Sequence, residues 1–252
     1  MAWTKLAKKL MISSKFMISP QTYTARLEEK FQHNQKFIQY SFELVKPNRL
    51  EFQAGQYVSI KVSDQGERRS YSICSTPDNN HQFDLLIDST PGGLGVQFFK
   101  NLELGVEIEV LAPMGLFIVP EDLIVDQLVF VATGSGIAPF KSMIEDQLRN
   151  KEDQRHITLH WGMRRPEDLL WLDEWQELAE AFPNFHFHPV LSQASEAWTL
   201  CRGRVTDCLN IHKRPTNAAY FLCGSKAMIE DATNVLTKKG VLKELILLEK
   251  FY

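Results

Sequence analysis

From residue 22 to residue 119, apolar and polar positions alternate in short runs separated by turn residues. Tyr23–Lys30, Lys36–Glu43, Tyr57–Val62, Arg69–Cys74, Phe83–Asp88 and Glu107–Leu111 carry the two-residue period or the β-branched content of strands. Gly and the pairs Pro77-Asp78 and Pro91-Gly92 punctuate the gaps. One stretch has a helical period instead: Leu94–Leu102 sets Val96, Phe99 and Leu102 on one face. Short strands at this density, with one small helix among them, predict a closed antiparallel barrel.

After Pro120 the rhythm changes. Leu128–Ala132 is continuously apolar and leads through a glycine-rich turn into a helix over Pro139–Leu148. A strand over Ile157–Trp161 and a helix over Pro166–Phe182 come next. Strands His186–Leu191, Tyr220–Cys223 and Leu245–Leu248 follow, with helices Val205–Leu209 and Lys226–Lys239 between them. Continuous apolar strands alternating with amphipathic helices predict a parallel sheet covered on both faces. The expected fold is therefore an N-terminal antiparallel β-barrel followed by an α/β parallel-sheet domain. The expected divisions are a poorly ordered leader over 1–21, the barrel over 22–121 and the α/β domain over 122–252. The leader mixes Lys5, Lys8, Lys9 and Lys15 with Leu6, Leu10, Met11 and Phe16, so it lacks the unbroken apolar stretch of a signal peptide. An amphipathic helix at a membrane surface is its alternative reading.

Composition narrows the function classes. An apolar fraction of 44% with 16 Phe supports a packed core. A formal net charge of −3 argues against a nucleic-acid partner. No apolar run approaches the roughly 20 residues a spanning helix needs, so stable membrane insertion is not expected. Cys74, Cys201, Cys208 and Cys223 form no C-x-x-C pair, which suits reduced thiols in a cytoplasmic protein and leaves no expected metal site. None has the spacing of a plant-type iron–sulfur cluster.

Four strings carry candidate chemistry. Arg69-Ser70-Tyr71-Ser72 ends a strand pattern, and alternation sends Arg69 and Tyr71 to one side and Ser70 and Ser72 to the other. Such a strand could offer a flavin an aromatic face, a hydroxyl near its hydride-accepting nitrogen and a forked cation for pyrophosphate. Taken alone, the four residues fit an ordinary half-buried strand as well. Pro91-Gly92-Gly93-Leu94-Gly95-Val96 opens a helix whose uncovered amides could bind phosphate, or it is a surface turn. Ala132-Thr133-Gly134-Ser135-Gly136-Ile137-Ala138-Pro139 follows a buried strand like a dinucleotide turn, although the third glycine of the usual fingerprint is missing. Leu222-Cys223-Gly224-Ser225 ends a strand of the same sheet, where ligands bind beyond the carboxyl ends.

Together these strings resemble the ferredoxin–NADP reductase superfamily, in the family's order and over about residues 22–252. Trp161-Gly162-Met163-Arg164-Arg165-Pro166-Glu167-Asp168-Leu169 is similar to the reductase components of bacterial oxygenases and to deoxysugar reductases. The resemblance implies an FAD-binding barrel, an NAD(P)-binding domain, and NADH or NADPH as co-substrate. It implies that Arg69 holds the FAD pyrophosphate, Tyr71 stacks on the isoalloxazine, Ser70 lies at the same strand, and Ser72 sits near N5. Gly93, Leu94 and Gly95 would approach the pyrophosphate by backbone. Ser135 would help bind FAD; Gly134, Ser135, Gly136 and Pro139 would line the nucleotide crevice, and Thr133, Gly162, Arg164 and Gly224 are further cofactor-binding positions. Cys223 would adjoin the nicotinamide. Glu249 belongs to the terminal Glu-x-aromatic string, in which Phe251 or Tyr252 would shield the flavin.

Val96 departs from the family, standing where many relatives carry a Ser or Thr. The implied activity is electron transfer from NAD(P)H through FAD to a separate redox protein, such as ferredoxin or an oxygenase component. A reductase of free flavin and an electron-carrying or redox-sensing subunit without turnover are the alternatives. Arg164, Arg165 and Arg202 could receive a 2′-phosphate, but Leu191-Ser192-Gln193 lacks a cation pair, which favours NADH.

Overall fold

A computed structural model describes residues 19–211 and 217–251, the side chain of Phe251 excepted. The leader expected over 1–21 lies, through residue 18, outside the described residues, as does Tyr252. Six strands form the first sheet: β1 (Gln21–Gln32), β2 (Phe37–Lys46), β3 (Tyr57–Lys61), β4 (Arg68–Ser72), β5 (Gln82–Asp88) and β6 (Glu107–Met114). Their order is β4-β3-β6-β1-β2-β5, with every pairing antiparallel. The two edges meet in a bridge between Ile73 and Leu85, and the Cys74 amide donates to the Asp84 carbonyl at 2.9 Å. This closure makes the sheet a barrel, as the alternation predicts.

Alternate residues fill the barrel's interior, among them Tyr23, Ala25 and Leu27 of β1 and Tyr40, Phe42 and Leu44 of β2. Helix α1 (Leu94–Asn101) packs Phe99 into that interior, edge-on to Tyr40 and Tyr71. The Tyr40 hydroxyl, itself buried, donates to the Phe99 carbonyl at 3.1 Å. A helix is thereby fixed beside β4, which places two of the candidate strings together.

The second sheet contains β7 (Gln127–Thr133), β8 (His156–Met163), β9 (Phe185–Leu191), β10 (Cys201–Arg202), β11 (Ala218–Ser225) and β12 (Ile246–Phe251). It is parallel throughout, in the order β10-β9-β8-β7-β11-β12. One face packs Phe130, Trp161 and Phe221 against Phe140 of α2 (Ala138–Glu145) and Trp175 of α3 (Leu172–Ala181). The other packs Val129, Val131 and Leu222 against α4 (Val205–Ile211) and α5 (Lys226–Lys238). Burial on both faces explains why these strands read as unbroken apolar runs.

The helix expected over Pro166–Phe182 is broken. Pro166–Asp168 makes a single 3₁₀ turn, Leu169 is extended, and Trp171 is left-handed at φ 55° before α3 begins. Leu169, Leu170 and Trp171 are all buried, which one side of a helix could not achieve for three consecutive residues. The helix expected over Pro139–Leu148 also changes character, giving way at Asp146–Asn150 to a wider π-helical turn. Strand β10 has only two residues and left no signal in the hydrophobic pattern.

The broken segment crosses to the barrel. Asn34 donates from Nδ2 to the carbonyls of Asp168 at 3.2 Å and Leu169 at 3.4 Å, and Lys36 Nζ pairs with Asp168 Oδ1 at 2.6 Å. Trp171 Nε1 donates to Gln39 Oε1 at 3.3 Å, and Ser142 Oγ to the Ser75 carbonyl at 2.6 Å. One apolar cluster continues through the same region, joining Phe37, Leu86 and Phe117 to Phe140 and Met143. The Asp168 carboxylate is nearly buried while the Lys36 side chain is 34% exposed, so the pair is worth less than a fully buried one. Asp168→Ala should therefore lower the unfolding free energy by about 1–2 kcal/mol in urea denaturation. Lys36→Met in the Asp168→Ala background should recover part of it. Additive losses from the two single changes would mean that the ion pair itself contributes nothing.

Candidate functional site

The sheet order reverses at β7, which is flanked by β8 on one side and β11 on the other. At such a reversal the loops beyond neighbouring strands diverge and leave a crevice at the carboxyl ends. Here the crevice is bordered by the turn after β7 and the turn after β11. Gly134 takes φ +56° and begins a 3₁₀ turn, Gly134–Ile137, that runs directly into α2 with Pro139 in its first turn. A Cβ on Gly134 would meet nothing within 4 Å, so that face of the turn is open. Gly136 is the opposite case. A Cβ there would lie 2.4 Å from the Cys223 carbonyl oxygen and 2.8 Å from Gly224 Cα. Gly224, at φ +143°, closes the contact from the other side: its Cβ would fall 2.4 Å from Thr133 Oγ1. Trp161 Nε1 holds the Gly134 carbonyl at 3.1 Å, a support for the turn that sequence reading did not identify.

The barrel contributes β4 and the start of α1. Arg69 and Tyr71 share a side, because a Cβ on Gly95 would meet Tyr71 Oη at 2.1 Å and Arg69 Cγ at 3.1 Å. The second and first strings are thus in direct contact through a glycine. Arg69 is exposed and Tyr71 half-buried. Gly93 occupies the N-cap of α1 without a side-chain cap, and Cβ atoms on Gly92 or Gly93 would meet nothing within 4 Å. Uncapped first-turn amides beside a guanidinium suit a pyrophosphate, and the half-buried Tyr71 suits a planar ring. The residues present therefore fit an FAD. Val96 is buried, so any contact from this turn comes from backbone amides.

Ser72 faces away from Tyr71. It is buried, and its hydroxyl donates to Glu249 Oε2 at 3.1 Å. Glu249 lies on β12 opposite Cys223 of β11, and Cys223 lies opposite Ala132 of β7. Three residues nominated separately, Ser72, Cys223 and Glu249, thus come together at the junction of the two sheets. Burial raises the Glu249 carboxyl to about 7, outweighing the stabilising bond from Ser72. Burial, and then the Glu249 charge, push the Cys223 thiol well up. Burial lifts the Tyr71 phenol to about 12, against the pull of Arg69.

The other nominated residues are peripheral to this junction. Ser70 is exposed on β4, Ser135 and Leu94 are half-buried, and Arg164 is exposed past the end of β8. Gly162 is pressed between Val205 and Thr133, whose atoms would lie 3.1 and 3.2 Å from its Cβ. Arg165 Nε binds Gln193 Oε1 at 3.1 Å. Arg202 turns its donors to the Trp198 and Glu196 carbonyls at 2.6–3.0 Å. The main chain of Phe251 ends β12; its ring and Tyr252 lie outside the described residues. Among the described residues no His, Cys, Asp and Glu group could hold a metal, and no helix is long and apolar enough to cross a membrane.

Comparison with known proteins matches both halves. Residues 24–118 match the family described as "Oxidoreductase FAD-binding domain", and residues 130–234 match "Oxidoreductase NAD-binding domain". The chain is 34% identical over 208 residues to the reductase component DmpP of phenol 2-monooxygenase from Pseudomonas sp. (strain CF600), covering 81% of this chain but 58% of that protein. It is 31% identical over 237 residues to the CDP-6-deoxy-L-threo-D-glycero-4-hexulose-3-dehydrase reductase of Yersinia pestis, covering 93% of this chain and 70% of the relative. The solved structure of the Amycolatopsis cytochrome P450 reductase GcoB superposes with a TM-score of 0.84 at 28% identity, over 92% of this chain and 70% of that one.

Two outcomes follow from the geometry. Gly136→Ala should lower the melting temperature and weaken nicotinamide nucleotide binding together, since backbone rather than a flexible side chain blocks the new methyl. Unchanged nucleotide affinity in a folded Gly136→Ala protein would remove this contact from the site. The second outcome concerns Glu249. Its folded value of about 7 exceeds the ordinary 4.5, so the folded state keeps a proton that the unfolded chain releases. Its contribution to stability is complete below about 4.5 and is lost as pH rises through about 7. Glu249→Gln should flatten the pH dependence of unfolding free energy across that window, and an unaltered slope would assign the dependence elsewhere.

Proposed function

Because the chain belongs to the ferredoxin–NADP reductase superfamily, we propose that it is an FAD-dependent NAD(P)H oxidoreductase that passes electrons to a separate redox protein. The observation that supports this most directly is the Ser72–Glu249 hydrogen bond. It joins the barrel strand proposed to hold the flavin to the strand beside Cys223, proposed to meet the nicotinamide. We assign residues 22–121 to FAD and 122–252 to the nucleotide. In this reading Arg69 and the first-turn amides from Gly93 to Gly95 hold the pyrophosphate, and Tyr71 lies on the ring. Thr133 to Gly136, Pro139, Gly162 and Gly224 shape the nucleotide crevice, with Ser135 also near FAD and Arg164 at the rim. Ser70 lies on the exposed side of β4, and Phe251 or Tyr252 would cover the flavin.

The chemistry supplied by a bound FAD is acceptance of a hydride and release of its electrons one at a time. The protein's share is placement. Gly136, by admitting the Cys223 carbonyl at van der Waals distance, fixes how far β11 advances into the crevice. Cys223, held as a neutral thiol, offers the nicotinamide an uncharged packing surface. Ser72 and Glu249 form a short proton path at that surface: with its pKa near 7, Glu249 can hold or give up a proton at working pH, and the Ser72 hydroxyl can relay it.

The oxygenase reductases among the relatives point to a protein partner, either ferredoxin or an oxygenase component. A separate acceptor is in keeping with relatives that are named as reductase components of larger oxygenase systems. We place the protein in the cytoplasm, in keeping with four cysteines that form no disulfide. NADH is the favoured co-substrate, because Arg202 is engaged with its own loop rather than held ready for a 2′-phosphate.

Purified protein should be yellow, keep its FAD through gel filtration and bleach on anaerobic addition of NADH. With ferricyanide as acceptor, kcat/KM should be higher for NADH than for NADPH. Arg69→Ala should weaken FAD retention by about 1.5–3 kcal/mol for each charge-assisted bond lost. Colourless protein that neither binds FAD nor oxidises either nucleotide would overturn the proposal, and unchanged FAD affinity in Arg69→Ala would remove that residue from it.

A further inference from the structure

Two of the four cysteines face each other away from the proposed flavin site. Cys201 lies on β10, the edge strand, and is half-buried; Cys208 lies on α4 and is fully buried. Their sulfurs are 2.9 Å apart, with the Cys208 thiol donating to Cys201 Sγ. A disulfide bond is about 2.05 Å long, so the pair needs to close by less than about 1 Å to become one. On the far side of Cys208, His160 Nδ1 stands 3.3 Å from its sulfur, with the His160 ring stacked on His188 at 4.9 Å. One thiol reachable from solvent, one buried behind it and a base beside the second make up the parts of a thiol–disulfide couple.

We propose that Cys201 and Cys208 are a redox-active pair that hydrogen peroxide converts to a reversible intramolecular disulfide, and that this bond locks the segment bordering the nucleotide crevice. In the first step the Cys201 thiolate attacks one peroxide oxygen. The O–O bond breaks, the sulfur becomes a sulfenic acid, and the departing hydroxide leaves as water with the proton that the Cys201 thiol gave up to solvent on ionising. In the second, the Cys208 S–H turns from the oxidised Cys201 to His160 Nδ1 and gives up its proton there as the Cys208 sulfur attacks the Cys201 sulfur. The S–S bond forms, the S–O bond breaks, and the hydroxyl leaves as a second water using that proton. Peroxide is reduced to two waters and the two thiols lose two electrons. Burial and the neighbouring Cys201 hold the Cys208 thiol protonated, so the attack on peroxide falls to Cys201, and Cys208 needs His160 to take its proton before it can resolve the sulfenic acid.

The position of the pair gives the bond a consequence, which rests on the nucleotide site proposed above. Ser192 and Gln193 donate their amides to the Met163 and Arg164 carbonyls at 3.0 and 2.8 Å, tying the loop after β9 to the rim at Arg164. Cys201 closes that loop: its carbonyl accepts from Trp198 Nε1 at 3.0 Å, and the next residue, Arg202, folds back on the Trp198 and Glu196 carbonyls. Cys208 sits in the helix whose first residue, Val205, presses on Gly162. A covalent bond between them ties β10 to α4 and so fixes the loop after β9 against the rim at Arg164, which can then no longer adjust to an entering nucleotide. Oxidation should thus weaken nucleotide binding without touching the reacting groups.

The test uses the FAD-loaded protein treated with hydrogen peroxide, quenched with an alkylating reagent and analysed by peptide mass mapping. The expected result is a tryptic pair joined through Cys201 and Cys208, lighter by two hydrogen atoms and released by dithiothreitol. In Cys208→Ser, dimedone should trap a sulfenic acid at Cys201 instead. Peroxide consumption without that linked pair, or a bond between molecules in its place, overturns the redox pair. For the lock, the KM for the nucleotide should rise severalfold on oxidation with kcat kept, return with dithiothreitol, and stay constant in Cys201→Ser treated alike. A KM that does not respond overturns the lock. Mass mapping requires no turnover, so a failed reductase assignment would be distinguishable from a failed redox pair.

Discussion

The contact on which the site depends is the approach of two turns at the reversal of the parallel sheet. Gly136 lies against the carbonyl of Cys223, and Gly224 against the hydroxyl of Thr133, with no room for a Cβ at either place. At Gly136 the obstruction is backbone against backbone, so no side-chain rearrangement could relieve a substituent there. Because β12 pairs in register with β11, setting the height of Cys223 also sets the height of Glu249. Glu249 then reaches Ser72 of the barrel. A steric condition inside one sheet is passed along one strand pairing and across the domain boundary to a hydroxyl on the other sheet.

The barrel repeats this logic with different parts. Gly95 lets the start of α1 settle against Tyr71 and Arg69, while Phe99 anchors the same helix in the barrel interior. Ring, guanidinium and uncapped amides become neighbours without needing polar bonds to one another. Their relative position is set by packing, which tolerates little drift in a dense interior. Their polar atoms stay available to a ligand: Arg69 spends one donor on the adjacent carbonyl, and Tyr71 is raised to about 12, so it remains a neutral phenol at any working pH.

Much of this was legible in the sequence because the determinants are local. Alternation gave the barrel strands, unbroken apolar runs gave the parallel sheet, and two of the four strings marked the turns that border the crevice. Ser72, Cys223 and Glu249 could be nominated one by one, but their meeting could not be read, because it depends on strand register across 177 residues of chain. The helix expected through Pro166–Phe182 failed for a related reason. Its period is helical, but Leu169, Leu170 and Trp171 are all buried in the apolar cluster that also takes in Phe37 and Leu86 of the barrel, and that tertiary gain overrides the local pattern. Asn34, Lys36 and Gln39 looked like ordinary turn and strand polar residues, since nothing local shows that their partners come from the far domain. Asp168 stood in a quoted string without an assigned purpose, and its partner Lys36 now supplies one.

These interdomain bonds bear on electron transfer through geometry rather than charge. Hydride passes only between rings held close and face to face, and small misplacements are costly. In this molecule the residues proposed for the flavin and those proposed for the nicotinamide belong to separate sheets, so their alignment can be no better than the domain interface. That interface is fastened at the site by the Ser72–Glu249 bond, and away from it by a second set, the Asn34, Lys36 and Gln39 bonds to the segment before α3 together with Ser142 Oγ on the Ser75 carbonyl. Two separated fastenings resist rotation, which a single one would allow. With the proton path proposed for Glu249, the first must also accommodate a proton moving on and off that carboxyl. The second contains no group that has to change state during turnover and can keep the domains aligned while the first does. The broken helix, with its left-handed Trp171, is the structural cost of having that second fastening.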